Sequence, residues 1–124
     1  MSAENEKLVA DFCQAWAHRD TDEVLSYMTE DCSYHNIPMD PCVGHDAIRK
    51  FVEPFLRGAE TVRFDILHSA SAGNVVMNER VDHIAMGEKK LSLPVAGVFE
   101  FQNGKISAWR DYFDLDTFNK QMGA

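Results

Sequence analysis

The chain has 124 residues, 45% of them hydrophobic, with a formal net charge of −8. This length suits one core, so residues 1–124 are read as a single domain. The acidic balance and the absence of a Lys/Arg cluster exclude a nucleic-acid face, and the longest charge-free apolar stretch, 91–99, has nine residues and contains Pro94, against the roughly 20 of a membrane helix.

The first half reads as helical. Leu8, Val9, Phe12 and Trp16 follow helical spacing and form one apolar stripe. Thr21-Asp22-Glu23 has the acidic first turn of a second helix, with Val24, Leu25 and Met28 as its buried side. A short extended piece over 32–36 follows, and Pro38 and Pro41 mark a loop. A third helix starts at His45 or Asp46 with Ile48, Phe51, Val52 and Phe55 inward, and Pro54 predicts a kink or an early end.

After Gly58 the texture changes to strands over 62–69, 74–85, 91–101 and 105–113. Turn residues join them: Ser71-Ala72-Gly73-Asn74, Gly87-Glu88 and Gln102-Asn103-Gly104, with Asn-Gly a strong hairpin signal. Four strands with short turns make an antiparallel meander. Helices first and strands afterwards make an α+β fold with helices on one face of a curved sheet. The pocket between the two layers is the natural ligand site.

Two strands carry charge toward that pocket. Side chains two apart on a strand share a face, so Arg80 and Asp82 point one way, continued by Ile84. Trp109, Asp111 and Phe113 share a face on the last strand. If both faces line the pocket, two carboxylates share one guanidinium. One cation cannot compensate two buried anions, so one carboxyl holds its proton while the other is ionised. A proton donor then sits beside a proton acceptor, which suits acid–base chemistry on a neutral substrate. On a solvated face the same pattern would be a weak ion pair; the large apolar neighbours favour a pocket lining. In the extended piece, Tyr34 and Asn36 share a face and can both hydrogen-bond one water.

These residues carry a resemblance. Tyr34-His35-Asn36-Ile37-Pro38, Arg80-Val81-Asp82, Gly97-Val98-Phe99, Gly104-Lys105-Ile106 and Trp109-Arg110-Asp111-Tyr112-Phe113-Asp114 resemble, in order and approximate spacing, the limonene-1,2-epoxide hydrolase family. The likeness runs from about Asp31 to the C-terminus, and the Trp-Arg-Asp-Tyr-Phe-Asp run is its most specific part. It implies a cone-shaped α+β barrel, the NTF2-like fold shared with steroid isomerases and SnoaL-like polyketide cyclases. It also implies a cofactor-independent hydrolase acting on a small lipophilic epoxide with water, without a covalent intermediate, and a homodimer.

The resemblance further assigns roles. Asp111 is the general base on a water also held by Tyr34 and Asn36, Asp82 the general acid, and Arg80 the bridge between them. The residues themselves leave open which Asp holds the shared proton. Following the family's pocket pattern, Ile84, Leu93, Val95, Phe113 and Phe118 contact substrate. Trp109 is placed with them, its indole N–H expected to bond Asp111 or a neighbour. Two features depart from the pattern: Pro94 inside a strand, which predicts an edge or bulge, and a short turn over 85–90. An isomerase or cyclase of the same fold, or a non-catalytic ligand-binding module, is the alternative reading.

Other signals are set aside. Cys32-x-x-His35 and Cys42-x-x-His45 look superficially like a metal site, but Cys32 and His35 face opposite sides of a strand, so no metal is expected. His18, His68 and His83 show no partner pattern, and Cys13 lies beside the helical stripe as a buried, inert thiol. Asp116 is taken as the cap of a last short helix. The N-terminus MSAENEKL lacks the features of a secretory signal. With three cysteines, an odd number, a reducing, cytoplasmic setting is expected.

Overall fold

The computed structural model describes residues 2–123. Helix α1 (Ser2–Ala15) runs into a 3-10 turn, Trp16–His18, and α2 (Thr21–Ser26) follows. Strands β1 (Met28–Asn36) and β2 (Cys42–Val43) precede α3 (His45–Gly58). The meander then comprises β3 (Thr61–Ala72), β4 (Val75–Met86), β5 (Lys89–Gln102) and β6 (Lys105–Tyr112), and α4 (Leu115–Gln121) ends the chain.

The expected α+β layering and the four-strand meander are both present. The hairpin turns shrink to two residues each. In the last one Asn103 and Gly104 both have positive φ, 52° and 79°, the conformation that makes Asn-Gly a tight hairpin turn. The six strands form one sheet in the order β2-β1-β6-β5-β4-β3. The sheet curves but does not close: β2 and β3 are free edges, so the expected barrel is an open sheet roofed by helices. Register shifts between Ile66 and His68 and between Glu100 and Phe101 are the kind of irregularity that bends a sheet.

Four local expectations are corrected. Met28 is buried as expected but opens β1 instead of lying on α2. The extended piece is longer than 32–36, and it pairs in parallel with β6, Tyr34 opposite Trp109 and Asn36 opposite Asp111. Helix α3 carries Pro54 in its interior and continues to Gly58; burial of Ile48, Val52 and Leu56 on one face offsets the missing hydrogen bond. Phe51 is 41% exposed, because it stands at the edge of that face and meets the Tyr34 ring at 5.8 Å.

Pro94 lies in β5, opposite Val81 of β4. The β6 partner strand begins to pair only at Ala96, so β5 is locally an edge there. Ser92, of the same parity, turns its N–H and C=O outward to the Gln121 side chain, at 2.6 and 3.0 Å. Pro94 therefore lacks its N–H on a side where no strand needs it. Helix α4 is capped by Asp114, whose carboxylate accepts from the Thr117 N–H at 3.1 Å; Asp116, the expected cap, sits inside the first turn and pairs with Lys120 instead.

The core between the layers is aromatic. Phe12 of α1 meets Trp109 edge-on at 5.0 Å, and Trp109 stacks between Phe99 and Tyr34 at 5.4 and 4.3 Å. These rings wall off one end of the space between helices and sheet. None of the described helices is long and apolar enough to cross a membrane.

Candidate active site

Sheet register assembles the site. On β4 the even-numbered residues Asn78, Arg80, Asp82 and Ile84 face inward, and on β5 the odd-numbered Leu91, Leu93, Val95, Gly97 and Phe99 do. Asp82 lies opposite Leu93, Arg80 opposite Val95, and Asn78 opposite Gly97. Gly97 in turn lies opposite Asp111, which pairs with Asn36. One row thus crosses four strands: Asn78, Gly97, Asp111, Asn36. The next row holds Phe99, Trp109 and Tyr34.

Arg80 is fully buried, and Asp111, Asn78 and Asp82 are only 4%, 5% and 6% exposed. The guanidinium grips Asp82 with two bonds, Nε to Oδ1 and Nη2 to Oδ2, both 3.0 Å. It grips Asp111 with two more, Nη2 to Oδ2 at 2.8 Å and Nη1 to Oδ1 at 3.2 Å. Paired forks of this type are the strong form of the Arg–carboxylate interaction. The Trp109 indole donates to Asp111 Oδ1 at 2.6 Å. Beneath the cation lie the Phe64 and Trp109 rings, 5.2 and 5.9 Å from the guanidinium carbon, within cation–π range.

Burial dominates the ionisation here. It holds the Asp82 carboxyl above its ordinary range and outweighs Arg80, which pulls the other way; Asp111 adds to the rise. For Arg80, burial opposes the charge, yet the two carboxylates more than compensate and keep it cationic. The Tyr34 phenol is pushed upward, first by burial and then by Asp111, so it is a neutral donor at any physiological pH.

Above the cluster lies a cavity of about 110 Å³. Its floor is Asp82, Asp111, Tyr34 and Asn36, and its walls include the expected Ile84, Leu93, Val95, Phe113 and Phe118. Trp109 is the exception: it is completely buried and lies behind Tyr34 and Asp111, not on the cavity, because its indole N–H is turned to the carboxylate. Residues the sequence reading placed elsewhere or passed over also line the space: Trp16, Phe51, Val52 and Phe55 from the helical side, Met39 from the loop after β1, and Phe64 and Leu91 from the sheet. Asn78 was likewise passed over, although its parity with Arg80 and Asp82 could have flagged it.

The comparisons with known proteins agree with this geometry. The family described as Limonene-1,2-epoxide hydrolase catalytic domain matches residues 3–123, nearly the whole chain.

The chain belongs to the limonene-1,2-epoxide hydrolase family.

Within that frame it is 32% identical over 106 residues to epoxide hydrolase EphG of Mycobacterium tuberculosis, spanning 84% of this chain and 69% of that protein. The solved structure of an M. tuberculosis LEH-like epoxide hydrolase superposes with a TM-score of 0.86 at 27% identity, covering 98% of this chain and 92% of that one. An NTF2-like protein of unknown function from Burkholderia pseudomallei also superposes with a TM-score of 0.86, covering 100% of both chains at 20% identity. At that identity the likeness shows the fold alone. The family resemblance carried by the strand motifs is therefore borne out, and the α1 region, the least distinctive by sequence, is included in the match.

Proposed function

We propose that this family member is a cofactor-independent epoxide hydrolase that opens a small lipophilic epoxide to a vicinal diol in one step. One observation carries the reading: two buried carboxylates share one buried guanidinium at the floor of an apolar cavity. Such a floor offers little to a charged substrate, but it holds an acid and a base within reach of a neutral one.

Asp111 accepts three hydrogen bonds, two from Arg80 and one from Trp109. Asp82 accepts two, and its carboxyl is raised by burial. On this reading the shared proton is assigned to Asp82, the carboxyl that burial holds above its ordinary range. In the step, Asp111 takes a proton from a water oriented by Tyr34 and Asn36, the water oxygen bonds to a ring carbon, the carbon–oxygen bond of the epoxide breaks, and its oxygen takes the proton of Asp82. Asp111 ends protonated and Asp82 ionised, and one proton exchange between them resets the pair. Acid–base assistance of this kind contributes about 10²–10⁴-fold.

Three unpaired cysteines support a reducing, cytoplasmic setting. Exposed Met77 and Tyr112 on the sheet face turned away from the helices support a homodimer.

Single turnover in ¹⁸O-labelled water tests the chemistry. One labelled oxygen in the first diol formed from an aryl or alkyl epoxide is the expected result. Unlabelled diol in that first turnover would mean an enzyme ester intermediate and would overturn the mechanism, and no diol from a broad epoxide panel would overturn the activity.

A further inference from the structure

Arg80 has five N–H donors, and the two carboxylates take only four of the bonds it makes. The fifth goes to a neutral oxygen: Nη1 donates to Asn78 Oδ1 at 3.1 Å. An arginine cannot accept a hydrogen bond, so the Asn78 amide must turn its oxygen to the cation. Its nitrogen then points to the Cys13 sulfur of α1, 3.8 Å away. Burial pushes that thiol up to about 12, despite the nearby Arg80, so Cys13 is a neutral, weak acceptor. The chain Cys13–Asn78–Arg80 ties helix α1 to the underside of the charged cluster.

We infer that Asn78 is a positioning residue for the reaction: its uncharged oxygen completes the coordination of the guanidinium and fixes its plane between Asp82 and Asp111. This rests on the hydrolase reading for its consequence in turnover, but its geometry stands apart from the choice of substrate. Two features make the role specific. Asn78 is nearly buried, lies two residues from Arg80 on the same face and does not line the cavity, so its amide holds the guanidinium without facing the open space. Its neutrality also matters. The titratable groups facing the cluster are Asp82 on β4, Asp111 on β6, Tyr34 on β1 and Cys13 on α1, with His83 on β4 acting on Asp82 at longer range. The cavity-facing residues contributed by β3, β5 and α3 are all apolar and bring no charge. With a neutral side chain at position 78 the cluster holds two carboxylates against one cation. A carboxylate there would make it three.

Two substitutions at one position test this. Asn78→Asp keeps shape and acceptor but adds charge. Asn78→Leu keeps approximate volume and removes the acceptor. In Asn78→Asp the pH profile of kcat should move upward by about one unit or more, because a like charge makes both carboxyl groups hold protons more tightly. The carboxyl ¹³C resonances of Asp82 and Asp111 should follow the same direction. In Asn78→Leu, kcat should fall about tenfold or more with KM within about twofold, since only the alignment of acid and base changes. An Asn78→Asp protein whose carboxyl titrations match the parent would overturn the inference. So would an Asn78→Leu protein with parental kcat. The ¹³C titration needs no turnover, so it judges Asn78 even if the epoxide panel fails, and Asn78→Asp decides the matter if Asn78→Leu does not fold.

Discussion

The guanidinium of Arg80 reaches Asp111 by passing over Gly97. Those two carboxylate-bearing strands, β4 and β6, are separated by β5, and Gly97 is the β5 residue directly between Asn78 and Asp111. A Cβ on Gly97 would lie 2.5 Å from Arg80 Nη1, 2.9 Å from Asn78 Oδ1 and 3.0 Å from Asp111 Oδ1. Arginine ends are often free to step aside, but this one is fully buried and bonded through every nitrogen. Glycine is required here for close approach, not for a turn.

Replacing Gly97 with Ala should therefore displace Arg80 from Asp111. The expected result is a fall in kcat of about 10²-fold or more, the scale of acid–base assistance. A chain that still folds, by circular dichroism, with parental kcat would show that the guanidinium can be moved without cost.

Asp82→Asn and Asp111→Asn each remove one half of the proton relay. Each should lower kcat by about 10²–10⁴-fold while the fold survives, because the amide oxygen still accepts one of the two Arg80 bonds. Steady-state kinetics with any competent epoxide, beside a thermal melt, checks both points, and full activity in either variant contradicts the assigned roles.

The pH dependence of stability follows from Asp82. Burial raises its carboxyl above the ordinary 3.8, so the folded chain holds this proton more tightly than the unfolded one. Stability from this group is complete below the unfolded value and is lost as pH rises through the higher folded value. The Asp82→Asn protein has no such proton and should lose that part of the slope. Melting temperature measured against pH in both proteins is the test, and parallel curves would remove Asp82 as the cause. The proposed mechanism needs the same proton on Asp82, so activity should decline on the alkaline side.

Trp109→Phe should separate packing from hydrogen bonding. Phenylalanine retains an aromatic ring near Tyr34 and Phe12 but loses the indole donor that lies 2.6 Å from Asp111. Asp111 then keeps only its two bonds from Arg80, its carboxylate is less firmly oriented, and kcat should fall about tenfold with the melting temperature near the parent's. Parental kcat with a reduced melting temperature would make Trp109 a packing residue alone.

Much of this was legible in the chain itself. Strand parity alone put Arg80 with Asp82 and Trp109 with Asp111, because a period of two leaves few choices. The Asn103-Gly104 turn announced the β5–β6 hairpin, but it is the one-residue shift between Glu100 and Phe101, which no local pattern marks, that brings Gly97 opposite Asp111. What was not legible depended on distant pairing. The parallel β1–β6 contact that sets Asn36 beside Asp111 joins segments some 75 residues apart, and no local pattern announces it. Trp109 was assigned to the cavity by parity, but parity gives a face, not a depth, and its ring lies behind Tyr34. The helical wall of Phe51, Val52 and Phe55 showed as a core stripe; only the open space left against the sheet turns part of it into cavity lining. Pro54 does not end the helix early, because the penalty of one lost hydrogen bond is smaller than the gain from burying Ile48, Val52 and Leu56.

With all five nitrogen-borne hydrogens of Arg80 engaged, the guanidinium itself has no spare valence. Lysine, with three, could not serve the same acceptors. Anyone seeking to admit bulkier or differently shaped molecules would do best to leave the floor intact and recarve the aliphatic and aromatic sides, where Leu93, Val95 and Phe118 line the cavity with no polar group to lose.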